Sequence, residues 1–299
     1  MLRITRDQLT YEFSAVTPPV ARISPGDSLT VETHDTSTGR IHKAEDVPEF
    51  VRVRDPNKVN PAAGPIYVEG AQPGDALAVD ILDIRLQPQG FVRVISGAGV
   101  LQEGIEPGGV AMVRVDGDQL IFADRVRMAA RPMVGVIGTA PASGVVYTLQ
   151  HGPAGGNIDV NAVTVGARVY LPVHVPGALL AIGDVHAAMG DGEVCGTGIE
   201  IAGEVTVRVD LLPGAAPTRP WIETAQDLIT TGAGPTLDDA VGEAVEHLCQ
   251  LLMTRLDLTR TEAFLLISAR GDVRVGQCAR MRGLDATAYA VFPRAVERL

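Results

Sequence analysis

The chain has 299 residues, 46% hydrophobic and 20% charged, a balance that excludes a largely disordered polymer and allows one large or two ordinary folded units. Acids outnumber bases 36 to 25, giving a net charge of −11, and Lys43 and Lys58 are the only lysines; with no basic block, nucleic acid is not an expected partner. Glycine (33) and proline (20) are abundant and aromatics scarce at 4%, which favours short strands joined by tight turns over a helical bundle. Residues 1–11 are polar and lack an apolar signal core. No apolar run reaches the roughly 18 residues of a membrane helix. Cys195, Cys249 and Cys278 are odd in number and widely spaced, which suits neither a disulfide framework nor a CxxC site. The expectation is a cytoplasmic protein with no membrane partner.

In chain order, the first patterned element is a repeat. Residues 24–35 (SPGDSLTVETHD) align with 72–83 (QPGDALAVDILD) at an offset of 48, with six of twelve positions identical. Pro-Gly-Asp makes a turn, and the alternation after it predicts a strand with one buried face. A looser copy occupies 175–184. Further strands are predicted at 66–69, 91–95, 110–115, 119–122, 145–149, 162–165 and 201–211, the last with Val205, Val207 and Val209 on one face. This spacing predicts a β-sandwich or barrel. The composition changes after about residue 215. Thr236 to Asp239 can cap a helix whose stripe is Val241, Ala244, Val245, Leu248, Leu251 and Leu252. Thr259 and Glu262 form a second capping box leading into 263–269. The expected organisation is a β-rich core over 1–215 and an α/β region over 216–299 packed on it.

Three polar clusters are candidates for chemistry. In the first, an apolar strand runs into Asp184-Val185-His186, which puts a carboxylate and an imidazole on one face, as zinc or iron ligands require. Glu193 follows in a glycine-lined turn, where it can serve as a base on metal-bound water; the structural alternative is a turn with solvated acids and a capping histidine. In the second, Asn157 and Asp159 share a face and Gly155 and Gly156 allow a backbone amide to approach an oxyanion, or the segment is simply a glycine-rich hairpin. The third places His34 and Asp35 on opposite faces at a strand end, where one repeat copy has exchanged apolar residues for polar ones. His174 and His247 read as packed or structural residues, and residues 270–272 as a turn. There is no Walker or dinucleotide motif, and neither lysine lies in a Gly/Ser-rich amidase motif.

Taken together, residues 60–75, the Gly155-Gly156-Asn157-Ile158-Asp159 stretch and the segment from Leu171-Pro172-Val173 through Gly183-Asp184-Val185-His186 to Gly190-Asp191-Gly192-Glu193 resemble the acetamidase/formamidase family. The resemblance spans most of the chain in the same order. It implies a jelly-roll-like or sandwich core, hydrolysis of short aliphatic amides to carboxylate and ammonia, a divalent metal with zinc the first choice, and a homo-oligomer. The family's polar positions fall on Asp35, Asn157, Asp159, Asp184, His186, Asp191 and Glu193. The roles this implies are metal binding for Asp35, Asp184 and His186, with Asp159 a fourth ligand or a support. Glu193 is the implied general base, Gly156 and Asn157 the oxyanion donors, and His34, Asp191 and Cys195 the substrate contacts. Where the family carries His-Pro, this chain has Asn60-Pro61, and its histidine- and tryptophan-rich start is reduced; both departures leave room for a different amide. Two rivals stand beside this expectation: a cysteine-nucleophile amidase using Cys195 with Glu193, and a non-catalytic β protein that binds a small molecule.

Overall fold

The computed structural model describes residues 1–55, 57–101, 103–279 and 283–298. The protein is mainly β. Among the described residues, nineteen strands hydrogen-bond into one large curled sheet, and a small pair joins Glu12–Ser14 to Val145–Tyr147. Nearly all pairings are antiparallel; Leu2–Ile4 on Ser28–Thr33 and Ala21–Ile23 on Ala62–Val68 are parallel.

The repeat organises the centre of the sheet. In both copies a glycine with positive φ, Gly26 (+89°) and Gly74 (+97°), makes the turn. The following aspartate closes it: Asp27 Oδ2 accepts from the Ser24 amide at 2.8 Å, and Asp75 Oδ2 from the Gln72 amide at 2.9 Å. The strands that emerge, Ser28–Thr33 and Ala76–Arg93, flank the Glu200–Leu212 strand on its two edges, so Val207 stands opposite both Leu29 and Ile81. Val205, Val207 and Val209 are fully buried on the predicted face. Each such burial contributes about 1.5–3 kcal/mol. The third, looser copy turns at Gly177 and delivers Leu180–His186, a strand buried along its whole length.

Other predicted strands appear at Ala62–Val68, Val110–Asp116 and Gln119–Phe122, while 91–95 forms the end of the 18-residue strand Ala76–Arg93. Residues 162–165 differ. They form turns, with the Val163 amide donating to Val160 O at 2.9 Å and the Thr164 hydroxyl to Pro132 O at 2.6 Å. Hydrogen bonds within the turn displace the ladder that the alternation suggested, and the strand begins at Arg168.

Both capping boxes form. Thr236 Oγ1 accepts from the Asp239 amide at the start of Leu237–Leu256, and Thr259 Oγ1 from the Glu262 amide at the start of Arg260–Arg270. The longer helix buries Ala244, Leu248 and Leu252 against Leu228, Ala290 and Phe292. Gly232 permits the approach, since a Cβ there would stand 2.2 Å from Ala240 O. Strands on both sides of residue 215 share the sheet: Trp221–Glu223 pairs with Arg168–Pro172, and Gly192 bridges Gln277. No described helix is long and apolar enough to cross a membrane.

Candidate active site

The sheet gathers a group of buried polar residues around a cavity of about 500 Å³. Asn60, Asn157, Asp159, Asp184, Glu193, Glu200 and Gln277 line it. Every one of them is buried, and none is more than 7% exposed. His186 closes the cluster beneath them at 1% exposure.

Local backbone geometry aims these side chains. Asn60 (φ +52°), Asp159 (+40°), Asp184 (+55°) and Glu193 (+39°) all occupy the left-handed region. That conformation is unfavourable for residues with a Cβ and collects at functional sites. It lets Asp184 direct its carboxylate toward the same space as His186, as the Asp-x-His spacing predicts. Gly135, on the neighbouring Met133–Gly138 strand, makes room: a Cβ there would lie 2.4 Å from Asp159 Oδ1 and 3.0 Å from Asp184 Oδ2. Gly198 does the same for the imidazole, since its Cβ would come within 2.7 Å of His186 Nδ1.

Carboxamides hold one side of the cluster. Asn60 Nδ2 donates to Asn157 Oδ1 and to Asp184 Oδ2, each at 2.8 Å. Asn157 Nδ2 donates to Gln277 Oε1 at 3.3 Å. Gln277 Nε2 donates to Asp159 Oδ2 at 2.8 Å and to Glu193 Oε2. The other side has no partners. Asp159 Oδ1, Asp184 Oδ1, Glu200 Oε2 and both His186 nitrogens are buried without a hydrogen bond. His186 Nε2 stands 3.2 Å from Glu200 Oε1 and 3.6 Å from Asp184 Oδ1, but neither contact is aligned as a hydrogen bond.

The electrostatics follow from burial. Desolvation, reinforced by Glu193, pushes the Asp159 carboxyl well above its usual range. Desolvation also raises Glu193 against the pull of His186, and it raises Glu200 to about 8. Burial opposes charge on His186, but Glu200 and Asp184 outweigh it and hold its pKa well above 6.5. Four buried carboxylates therefore share a single imidazole, and unpaired buried charge of this kind calls for a cation. Asp159, Asp184 and His186 each offer a ligand atom within 4.8 Å of the others, and so do His186, Glu193 and Glu200.

The sequence-predicted residues divide. Asn157, Asp159, Asp184, His186 and Glu193 converge. Asp35 is buried, yet its Oδ1 accepts from Ser37 N at 2.7 Å, Ser37 Oγ at 2.5 Å and Gly39 N at 3.2 Å, and it lies outside the cavity lining; its neighbour Thr36 lines the cavity instead. His34 packs over Gly39, and burial lowers its pKa. Asp191 is exposed and accepts from Asn161 Nδ2 at 2.7 Å. Cys195 donates to Thr197 O at 3.5 Å outside the lining. Gly156 sits between Ile137 and His151 in the ladder, also outside the lining.

The sequence expectations assign no role to three of the site residues. Glu200 continues the solvent-facing parity of Glu204, Thr206 and Arg208, so alternation hides it; its pairing with His186 at the strand end is what buries it. Asn60 was visible only as a departure from a family pattern. Gln277 ends the Asp272–Gln277 strand without any local motif.

Comparison with known proteins gives one consistent result. The sequence profile of the Acetamidase/Formamidase family matches residues 8–153 and 146–271. An acetamidase of Mycolicibacterium smegmatis is 29% identical over 266 residues, covering 67% of this chain and 65% of its own. A formamidase of Methylophilus methylotrophus is 29% identical over 253 residues, covering 65% and 62%. The chain thus spans less than two thirds of the length of these curated relatives. The crystal structure of an acetamidase from Bacillus halodurans superposes with a TM-score of 0.91 at 36% identity, covering 98% of this chain and 97% of that one.

Proposed function

The chain belongs to the acetamidase/formamidase family, and on that premise we propose that it hydrolyses short linear amides to carboxylate and ammonia with the help of a divalent cation. The observation that carries the metal part is the set of buried ligand atoms without partners: Asp159 Oδ1, Asp184 Oδ1, Glu200 Oε2 and the His186 nitrogens. Carboxylate and imidazole donors suit zinc. Asp159, Asp184 and His186 would hold the ion, and Glu193 and Glu200 form a second candidate set with the same imidazole. Bound there, zinc supplies Lewis acidity and lowers the pKa of water to about 7.

The chain's own residues account for the rest. Glu193 is the general base. Its pKa, raised by burial, moves it toward working pH, where a base is most effective. It takes a proton from the attacking water and returns one to the departing nitrogen. Asn157 spends one amide hydrogen on Gln277 and offers the other to the substrate carbonyl. Asn60, bonded to both Asn157 and Asp184, fixes the carboxamide and the carboxylate in one orientation. The Asp35 carboxylate, occupied by its own loop, is left out of the ligand set. Cysteines that are few, odd in number and widely spaced support a reducing, cytoplasmic setting, and a buried hydrophobic cluster drawn from strands across the curled sheet supports the sandwich description of the core.

The test is ammonia release from formamide and acetamide before and after chelation, with zinc added back. Activity lost to the chelator and restored by zinc is the expected result. Activity indifferent to chelation removes the metal from the reading.

A further inference from the structure

The cavity holds more than a formamide site needs. At about 500 Å³ it falls in the range of pockets that enclose ligands far larger than formamide or acetamide. Part of its wall is cationic. Arg93 and Arg54 both line it. Arg93 is 4% exposed, and its Nε is buried without a partner. Among the described residues its guanidinium makes no side-chain hydrogen bond and no ion pair, and it lies 5.5 Å from the centre of the Phe50 ring. Arg54 caps the short helix Val47–Val53 that carries Phe50, is half-buried, and likewise has no carboxylate partner among the described residues. Other arginines do: Arg22 holds Glu69, and Arg168 and Arg208 both hold Asp80.

The backbone directs Arg93 toward the reaction centre. Phe91 pairs with Glu200 across the ladder, and Arg93 lies two residues farther along the same strand. Directly paired residues and residues two apart share one face of a sheet, so Arg93 and Glu200 face the same space. The strand end is fixed: the Arg93 amide donates to Thr197 Oγ1 at 3.0 Å, and that hydroxyl donates to Arg93 O at 2.9 Å. Burial, with Arg54 adding repulsion, lowers the Arg93 pKa against the pull of Glu200 and Cys195. A buried cation without a hydrogen-bonded counter-ion is costly, and a neutral amide supplies none. On the same cavity Thr36 Oγ1 is also buried without a partner.

We infer that the substrate is a short amide bearing a carboxylate, a monoamide of a dicarboxylic acid, and that Arg93 and Arg54 receive that carboxylate. The inference rests on the amide-hydrolysis reading and names its substrate class. A guanidinium matches a carboxylate with two parallel hydrogen bonds. A single negative charge also suits a cavity that contains four acids better than a phosphate dianion does. In the reaction, water adds to the amide carbon, the C–N bond breaks and nitrogen leaves with the proton. One monoamide anion and one water give one dicarboxylate dianion and one ammonium.

The experiment compares succinamate with butyramide, which share a four-carbon chain and differ in the terminal carboxylate. The wild-type kcat/KM is expected to be at least tenfold higher for succinamate. That ratio should fall at least tenfold in Arg93→Gln and in Arg54→Gln, with Arg93→Lys between. A second measurement, calorimetric titration of succinate, reads the arginines without turnover, and its Kd should weaken at least tenfold in both glutamine variants. Arg54 lies at a half-buried helix end, so its variant keeps the test decisive if Arg93→Gln does not fold. A wild-type preference for butyramide, or succinate binding unchanged in the folded variants, overturns the inference. Arginine-dependent succinate binding with no hydrolysis of any amide overturns the amidase reading and leaves the carboxylate site standing.

Discussion

Oε2 of Glu193 receives a hydrogen bond from Nε2 of Gln277 at 2.5 Å across 84 residues of chain. An amide N–H can only donate, so this oxygen is held as an acceptor. The bond therefore favours the ionised carboxylate, which a general base requires. Glu193→Gln retains the shape and the acceptor oxygen. Ammonia release should fall about 10²–10⁴-fold, with a urea midpoint close to that of the wild type. A turnover number unchanged in the folded variant assigns the base elsewhere.

Gly135 carries the second prediction. A methyl group there would overlap Asp159 Oδ1 and crowd Asp184. Gly135→Ala should cost about 1–3 kcal/mol by overpacking, read in urea unfolding, and should weaken zinc binding in the same protein. A variant of wild-type stability and zinc affinity shows that the two carboxylates do not need that space.

Zinc should stabilise the fold, because the ligand atoms converge only in the native state. A free zinc concentration one hundred times Kd gives about 2.7 kcal/mol. The gain should vanish on chelation and in His186→Asn, which removes the group shared by both candidate ligand sets. Urea curves with and without zinc decide it, and coincident curves for the wild type contradict the metal assignment.

His151 sets an acid limit on stability. Its Nε2 contacts Thr231 Oγ1 at 3.1 Å, while Nδ1 is buried without a partner. Burial first, then Arg219, pushes its pKa down to about 3. Above the ordinary imidazole value of about 6.5 both states are neutral and the contribution is level. Between 6.5 and 3 the unfolded chain binds a proton that the folded chain refuses, so stability declines as pH falls, by up to about 1.4 kcal/mol per unit. His151→Gln should have a shallower slope between pH 6.5 and 5 in urea titrations. Parallel slopes for the two proteins remove His151 as the source.

The parts of the fold legible in the sequence are those set by local chemistry. Pro-Gly-Asp announces its turn because proline, glycine and aspartate each fix one feature of it, and Thr236 and Thr259 announce helix starts through acids three residues on. Asp184 and His186 are legible because period two puts them on one face. Residues 162–165 mislead because their alternation also suits a turn whose hydrogen bonds are satisfied locally. Glu200 and Arg93 are illegible for a different reason. Neither carries a local motif, and each is turned inward by a neighbouring strand or loop, Glu200 by His186 and Arg93 by Thr197. Asp35 shows the converse, since its acceptor capacity is consumed by Ser37 and Gly39 before any ligand arrives.

The carboxamide of Asn60 reaches Asp184 across 124 residues, and that of Asn157 reaches Gln277 across 120. No segment of the chain therefore contains the site in miniature. A nascent chain still lacking the hairpin of Asp272–Gln277 and Ala286–Pro293 has the acids but not the Gln277 contacts that orient them, so during synthesis the active arrangement can exist only after that hairpin has emerged. Regain of turnover during refolding would then time the closing of that hairpin, making catalysis a late clock for assembly where strand content is an early one.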